Sequence, residues 1–312
     1  MQKQNILVIG NGFDLDLELH TKYSDFANSK YWPKTNSYSF SPLAQKLQER
    51  KNIEKEWFNI EDLLYEYAHN GGLSEHVAVE QLLGARKEDN DYFNDLSSSL
   101  TQFIKEAQNK EPNAYSCAAR LLRTVANNDN FTKIYSFNYT DIRKLANRIG
   151  IIIRNSLKCV NVHGKADDDS IVLGVSGNSD LMKGYESFKK PNNPHYEGSD
   201  LMHSLIDSKE VIVFGHSFGS QDYSYFKDFL SYFSDYNFCT THKLTVITKN
   251  SESAASIKKQ IQTQGKITDL TPMLNLGSVN FIKTETIKST DYDEFLKRVL
   301  NMGKAKYHIS YI

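Results

Sequence analysis

The feature that most restricts how this chain can fold is a short apolar run, Ile6 to Ile9, that ends abruptly in Gly10-Asn11-Gly12-Phe13-Asp14. A continuous run rich in β-branched residues and closed by glycine fits a strand buried on both faces, the kind a parallel sheet uses. Amphipathic sequence follows toward Leu19, so the glycines would carry the chain from strand to helix. Two glycines allow a sharp turn and a close approach to a ligand, and free N–H groups at a helix start attract phosphate. The match to the dinucleotide pattern G-x-G-x-x-G is partial, because Leu15 stands where the third glycine would be. Asp14 also has a plainer use, as a helix cap.

From about residue 41 to 126 apolar side chains recur every three or four positions. Leu43 and Leu47, Ile60, Leu63, Leu64 and Tyr67, then Leu96, Leu100 and Ile104, then Leu121, Leu122 and Val125 mark it as a helical insertion. Strands are expected at 133–137, 157–162, 170–175, 210–214, 243–248 and 278–283, and helices at 140–149, 201–208, 222–232 and 252–263. This alternation predicts an α/β fold with a Rossmann-like, doubly wound, mostly parallel sheet, forming a single domain over residues 1–312 with the helices of 41–126 inserted. The polar, turn-rich stretch 177–198, with PNNPHYEG inside it, is expected to be a loop able to cover a pocket.

Charge and cysteine usage remove several classes of function. With 37 basic against 38 acidic residues the chain has no field to gather a polyanion, so nucleic acid is not an expected partner. Three scattered cysteines, Cys117, Cys159 and Cys239, offer neither a disulfide framework nor a four-thiolate zinc site, and suit a reducing cytoplasm. The apolar run near the start is short for a signal peptide, and no stretch approaches the ~20 apolar residues of a membrane span, so no membrane association is expected. No metal is expected either: Asp167-Asp168-Asp169 reads as solvated carboxylates in a turn, and the histidines show no ligand spacing.

Three further motifs follow expected strands, at the carboxyl ends where open parallel sheets bind ligands. Ser136-Phe137-Asn138-Tyr139-Thr140-Asp141 contains ordinary turn and cap residues, but Asn138 could orient a water or a ribose hydroxyl and Asp141 could accept from a sugar or an amide. Asn161-Val162-His163-Gly164 offers a histidine, a general base near neutral pH, beside a glycine that lets a ligand approach. Gly215-His216-Ser217-Phe218-Gly219-Ser220-Gln221-Asp222 contains G-x-S-x-G, the nucleophile elbow of serine hydrolases. A triad built on Ser217 would need an acid and then a histidine downstream, for which Asp269 or Asp291 with His308 has the required order. In the helical block Trp57 reads as core and Glu61 as a solvated charge able to line the pocket.

The stretches ILVIGNGFDLDLELHTKYSDF, SFNYTD, NVHG followed by IVLGV, and VIVFGHSFGSQDYSYF, in that order, resemble the bacterial AbiH abortive-infection proteins, which defend against phage. The same blocks are remotely similar to the sirtuin-like NAD-consuming fold. By that similarity Gly10, Asn11, Gly12, Phe13 and Asp14 would hold the pyrophosphate and nicotinamide side of NAD, and Asn138 with His163 would be the catalytic pair. Asp141 would contact the nicotinamide amide or a ribose and Ser217 would meet the adenosine half, with Gly215 and Asp222 also expected among the cofactor-binding residues. The missing four-cysteine zinc module argues against protein deacylation and leaves hydrolysis of NAD to nicotinamide and ADP-ribose. Two other readings stay open: a nucleotide-binding sensor without turnover, and a serine esterase using Ser217. The expected partner is a small-molecule nucleotide, with homo-oligomerisation possible. An enzyme that drains NAD also needs a trigger, expected to be phage-derived.

Overall fold

The computed structural model describes residues 4–34, 37–39, 41–54, 58–70, 79–287 and 291–301. Six strands, β1 (Asn5–Ile9), β2 (Phe131–Ser136), β3 (Lys158–Asn161), β4 (Glu210–Phe214), β5 (Lys243–Thr248) and β6 (Val279–Lys283), form one sheet in the order β3-β2-β1-β4-β5-β6. Every pair is parallel. This is the doubly wound dinucleotide-fold order, which reverses between β1 and β4 and opens a crevice beyond their carboxyl ends.

Strand alternation sends β1 side chains to both faces. Leu7 and Ile9 join a core with the helices α1 (Asn11–Asp16), α6 (Cys117–Ala126), α7 (Ile142–Arg148) and α13 (Tyr292–Asn301). Ile6 and Val8 join the opposite core, shared with α8 (Leu201–Asp207), α9 (Tyr223–Tyr232), α11 (Ser251–Gly265) and α12 (Thr271–Leu276). A short α10 (Tyr236–Thr241) leads into β5.

The expected helical block forms, but its members divide. α2 (Tyr23–Ala27), α3 (Pro42–Ile53), α4 (Ile60–His69) and α5 (Val79–Ala107) build a third core of their own. The last helix, α6, buries Leu121, Leu122 and Val125 against the sheet and is therefore the crossover into β2. Trp57 lies outside the described residues.

The expected strand at 170–175 is absent. Its alternating side chains Ile171, Leu173 and Val175 bury against the helical core, and only Val175 makes an isolated bridge, to Lys189. The apolar alternation that suggested a sheet edge serves instead to strap the β3–β4 connection onto the insertion. Among the described residues no helix is long and apolar enough to cross a membrane.

Candidate functional site

Strand register sets the level of everything at the crevice. Ile9 pairs with Ser136 and with Phe214, and Ser136 pairs with Asn161. The segments beginning at Gly10, Phe137, Val162 and Gly215 therefore leave the sheet at one height.

The glycine turn is closed by protein. A Cβ on Gly10 would lie 2.7 Å from the His216 Cα, and one on Gly12 would lie 2.6 Å from the Gly215 Cα. Gly215 itself adopts φ +67°. The Gly10 and Gly12 N–H groups donate to the Phe214 and Gly215 carbonyls at 3.0 and 2.9 Å. The three glycines thus let the β1 and β4 turns pack main chain to main chain, and the N–H groups of Gly10 and Gly12 are committed. The N–H groups of Gly10 and Gly12 are therefore not free for the pyrophosphate that the resemblance implied, and Gly215, expected among the cofactor-binding residues, is taken up by the same packing. Phe13 is core, edge-on to Phe214 at 5.4 Å, and the exposed Asn11 accepts from the Thr21 hydroxyl at 2.6 Å.

Asp14 lies inside α1 rather than capping it, fully buried. It accepts from the Asn138 amide at 2.8 Å and the Thr140 hydroxyl at 2.9 Å. Burial pushes its carboxyl up to about 7 against the pull of those bonds. The Asn138 amide nitrogen also donates to the Gly10 carbonyl at 3.1 Å. Both of its hydrogens are engaged, so Asn138 braces the β1 turn instead of offering that nitrogen to water or ribose. Asp141 caps α7, accepting from the Arg143 and Lys144 N–H groups, and pairs with Lys165 at 2.9 Å.

Beyond β3 and β4 the chain assembles a buried charge cluster. His163 Nε2 lies 3.5 Å from Asp222 Oδ1 and 3.4 Å from the Tyr225 hydroxyl. His216 Nε2 lies 3.3 Å from the other oxygen, Oδ2. The His216 Nδ1 accepts from the Phe218 N–H at 3.0 Å, which places the ring proton on Nε2, toward Asp222. The Lys190 ammonium sits 3.1 Å from Asp222 Oδ1 and 3.0 Å from Glu61 Oε2. The Tyr139 hydroxyl approaches Glu61 Oε1 at 3.4 Å and meets the Tyr23 hydroxyl at 3.2 Å.

The environment drives the two carboxyls apart. Burial acts to raise Asp222, but Lys190 and the two imidazoles outweigh it and keep this carboxylate well below the usual range. Glu61 goes the other way, to about 7, because burial and the Asp222 charge exceed the help from Lys190. His163 is lowered to about 3 by burial and then by the Lys190 charge, so its imidazole is neutral. One ionised carboxylate and one carboxyl poised near neutral pH beside a neutral imidazole is an arrangement suited to acid–base chemistry.

The structure therefore brings His163 and Asp222 together, and ties Asn138 to Gly10 and Asp14. Ser217 is not part of the cluster: it is exposed, and the residues turned inward from its loop are His216 and Phe218. α9 begins only at Tyr223, after a short 3-10 turn, so the strand does not pass directly into a helix as an elbow would. Among the described residues no histidine or carboxylate hydrogen-bonds Ser217, and His308 lies outside them.

Sequence reasoning missed Lys190 and His216. The one signal for Lys190 was its position in the polar loop suspected of covering a pocket. Glu61 was read as a solvated charge and is buried, its carboxyl meeting Lys190 and the Tyr139 hydroxyl.

The family model described as bacteriophage abortive infection AbiH matches residues 6–242, from β1 to the start of β5, and so includes every residue of the cluster. No curated protein matches the chain.

Proposed function

The chain belongs to the bacteriophage abortive infection AbiH family, and on that premise we propose that it is an anti-phage effector that hydrolyses NAD to nicotinamide and ADP-ribose. The observation that carries this reading is the pairing of His163 with the ionised Asp222 just beyond the strand order's reversal between β1 and β4, where such sheets take up nucleotides.

In the proposed reaction a water oxygen attacks C1′ of the nicotinamide riboside as the C1′–N bond breaks. The bonding pair moves to the pyridinium nitrogen and nicotinamide leaves neutral. His163 accepts the proton of the attacking water, and Asp222 stabilises the imidazolium that results. His216, its proton fixed on Nε2, orients Asp222 from the other side. Positive charge builds on the ribose in the transition state, and the ionised Asp222 carboxylate would stabilise it. Asn138 contributes by holding the β1 turn through Gly10 and Asp14.

The test is direct: incubation of the purified chain with NAD should release nicotinamide and ADP-ribose, and His163→Ala should abolish release while the fold persists. Undiminished turnover in that variant would remove the mechanism.

A further inference from the structure

Lys190 is an unusual residue to find at the centre of this site. It is 1% exposed, yet it comes from the 176–198 connection, which contains 3-10 turns but no α-helix or strand. Its position is nevertheless built. The Lys190 N–H donates to the Val175 carbonyl at 2.9 Å. Phe188 packs tilted against Phe93 of α5 with ring centres 4.3 Å apart, and the Tyr185 hydroxyl donates to Asp89 at 2.8 Å. Asp89 is itself fully buried and accepts from Ser41 and Tyr67, so α3, α4, α5 and the strap meet on one carboxylate. With the backbone pinned in this way, only the side chain of Lys190 is left to move.

The ammonium stands between Glu61 and Asp222 beside His163, which is where the substrate's positive charge would lie during the proposed reaction. Its departure would leave two buried carboxyls without a cation, and an uncompensated buried charge is strongly unfavourable. Whatever displaces Lys190 must therefore bring positive charge of its own.

We propose that Lys190 is a built-in competitor for its own site, holding the place of a planar organic cation such as the pyridinium-ribosyl end of the substrate. The choice of a pyridinium rests on the NAD reading; the demand for a cation does not. With Lys190 in place the Asp222 carboxylate is balanced by the ammonium and His163 resists taking up a proton, so the site is at rest. A ligand that must first displace an internal group binds with an affinity reduced by the fraction of time the site stands open.

The test uses the full chain, Lys190→Ala, and 1-methylnicotinamide, a pyridinium cation without phosphate, with neutral nicotinamide as control, followed by calorimetry. Lys190→Ala should bind 1-methylnicotinamide at least tenfold tighter than the unaltered chain and nicotinamide no tighter; equal affinity for the cation in both chains overturns the proposal. If that variant does not fold, Lys190→Ala/Glu61→Gln retains one carboxylate and should still bind the cation. Adding Asp222→Asn should then abolish binding, and binding that survives it overturns the proposal. Because binding is read without turnover, a chain that releases no nicotinamide from NAD removes the hydrolase reading alone.

Discussion

Gly12 and Gly215 meet main chain to main chain: a Cβ on Gly215 would fall 2.5 Å from the Gly12 Cα, and one on Gly12 would fall 2.6 Å from the Gly215 Cα. Gly215 also holds φ +67°, a conformation that a side chain penalises. Gly215→Ala should therefore lose about 3 kcal/mol, combining left-handed backbone strain with overpacking against a backbone that has nowhere to move. Urea unfolding of the variant measures this, and a loss below about 1 kcal/mol would show that the two turns can separate.

Asp14 links stability to pH. In the folded chain burial lifts its pKa from 3.8 to about 7. Between those values the folded chain binds one proton more than the unfolded chain, so this residue's contribution to stability falls as pH rises from about 4 to about 7 and then levels off. Asp14→Asn keeps an acceptor for Asn138 and removes the titration. The variant should lack that fall, which amounts to about 4 kcal/mol. Unfolding free energies of the two chains at a series of pH values provide the check, and parallel curves would show that Asp14 ionises as readily in the folded chain as in the unfolded one.

The ion set around Lys190 makes a third prediction. Lys190→Met leaves Asp222 and Glu61 buried without their shared cation and should cost about 3–5 kcal/mol. Glu61→Gln in the same chain should recover part of that loss, with a coupling energy above about 1 kcal/mol in a double-mutant cycle. Additive effects would mean that the Glu61–Lys190 contact of 3.0 Å carries no energy.

The sheet was legible because its signals are local. Val211 to Phe214 is a continuous apolar run, and β4 falls on the expected residues, Glu210 to Phe214. The segment 170–175 misled for an equally physical reason: alternation reports that one face is buried, and says nothing about whether the burying surface is a neighbouring strand or a helix. The site divides along the same line. His163 and Asp222 follow strands and could be placed by the sheet. Lys190 and Glu61 reach the cluster from a coil and from the insertion, through contacts 129 positions apart in the chain, a separation that no periodicity encodes. The glycine turn shows the converse limit, since the sequence identified glycines that must be approached closely but not that Gly215 would be what approaches them.

The two histidines on Asp222 should not be equivalent. His216 has its Nδ1 committed to the Phe218 N–H and its Nε2 proton directed at Asp222, so both ring nitrogens are engaged and the ring acts by orienting the carboxylate. Among the described residues the polar contacts of the His163 ring, to Asp222 and to the Tyr225 hydroxyl, are made by Nε2, and that nitrogen can serve as a base once Lys190 has left. His163→Ala should therefore lower nicotinamide release by about 10³-fold, within the range for removal of a general base. His216→Ala should lower it about tenfold, with Asp222 still present but less well held. Equal losses in the two variants, or a larger loss at His216, would move the base to the other ring and with it the position of the attacking water.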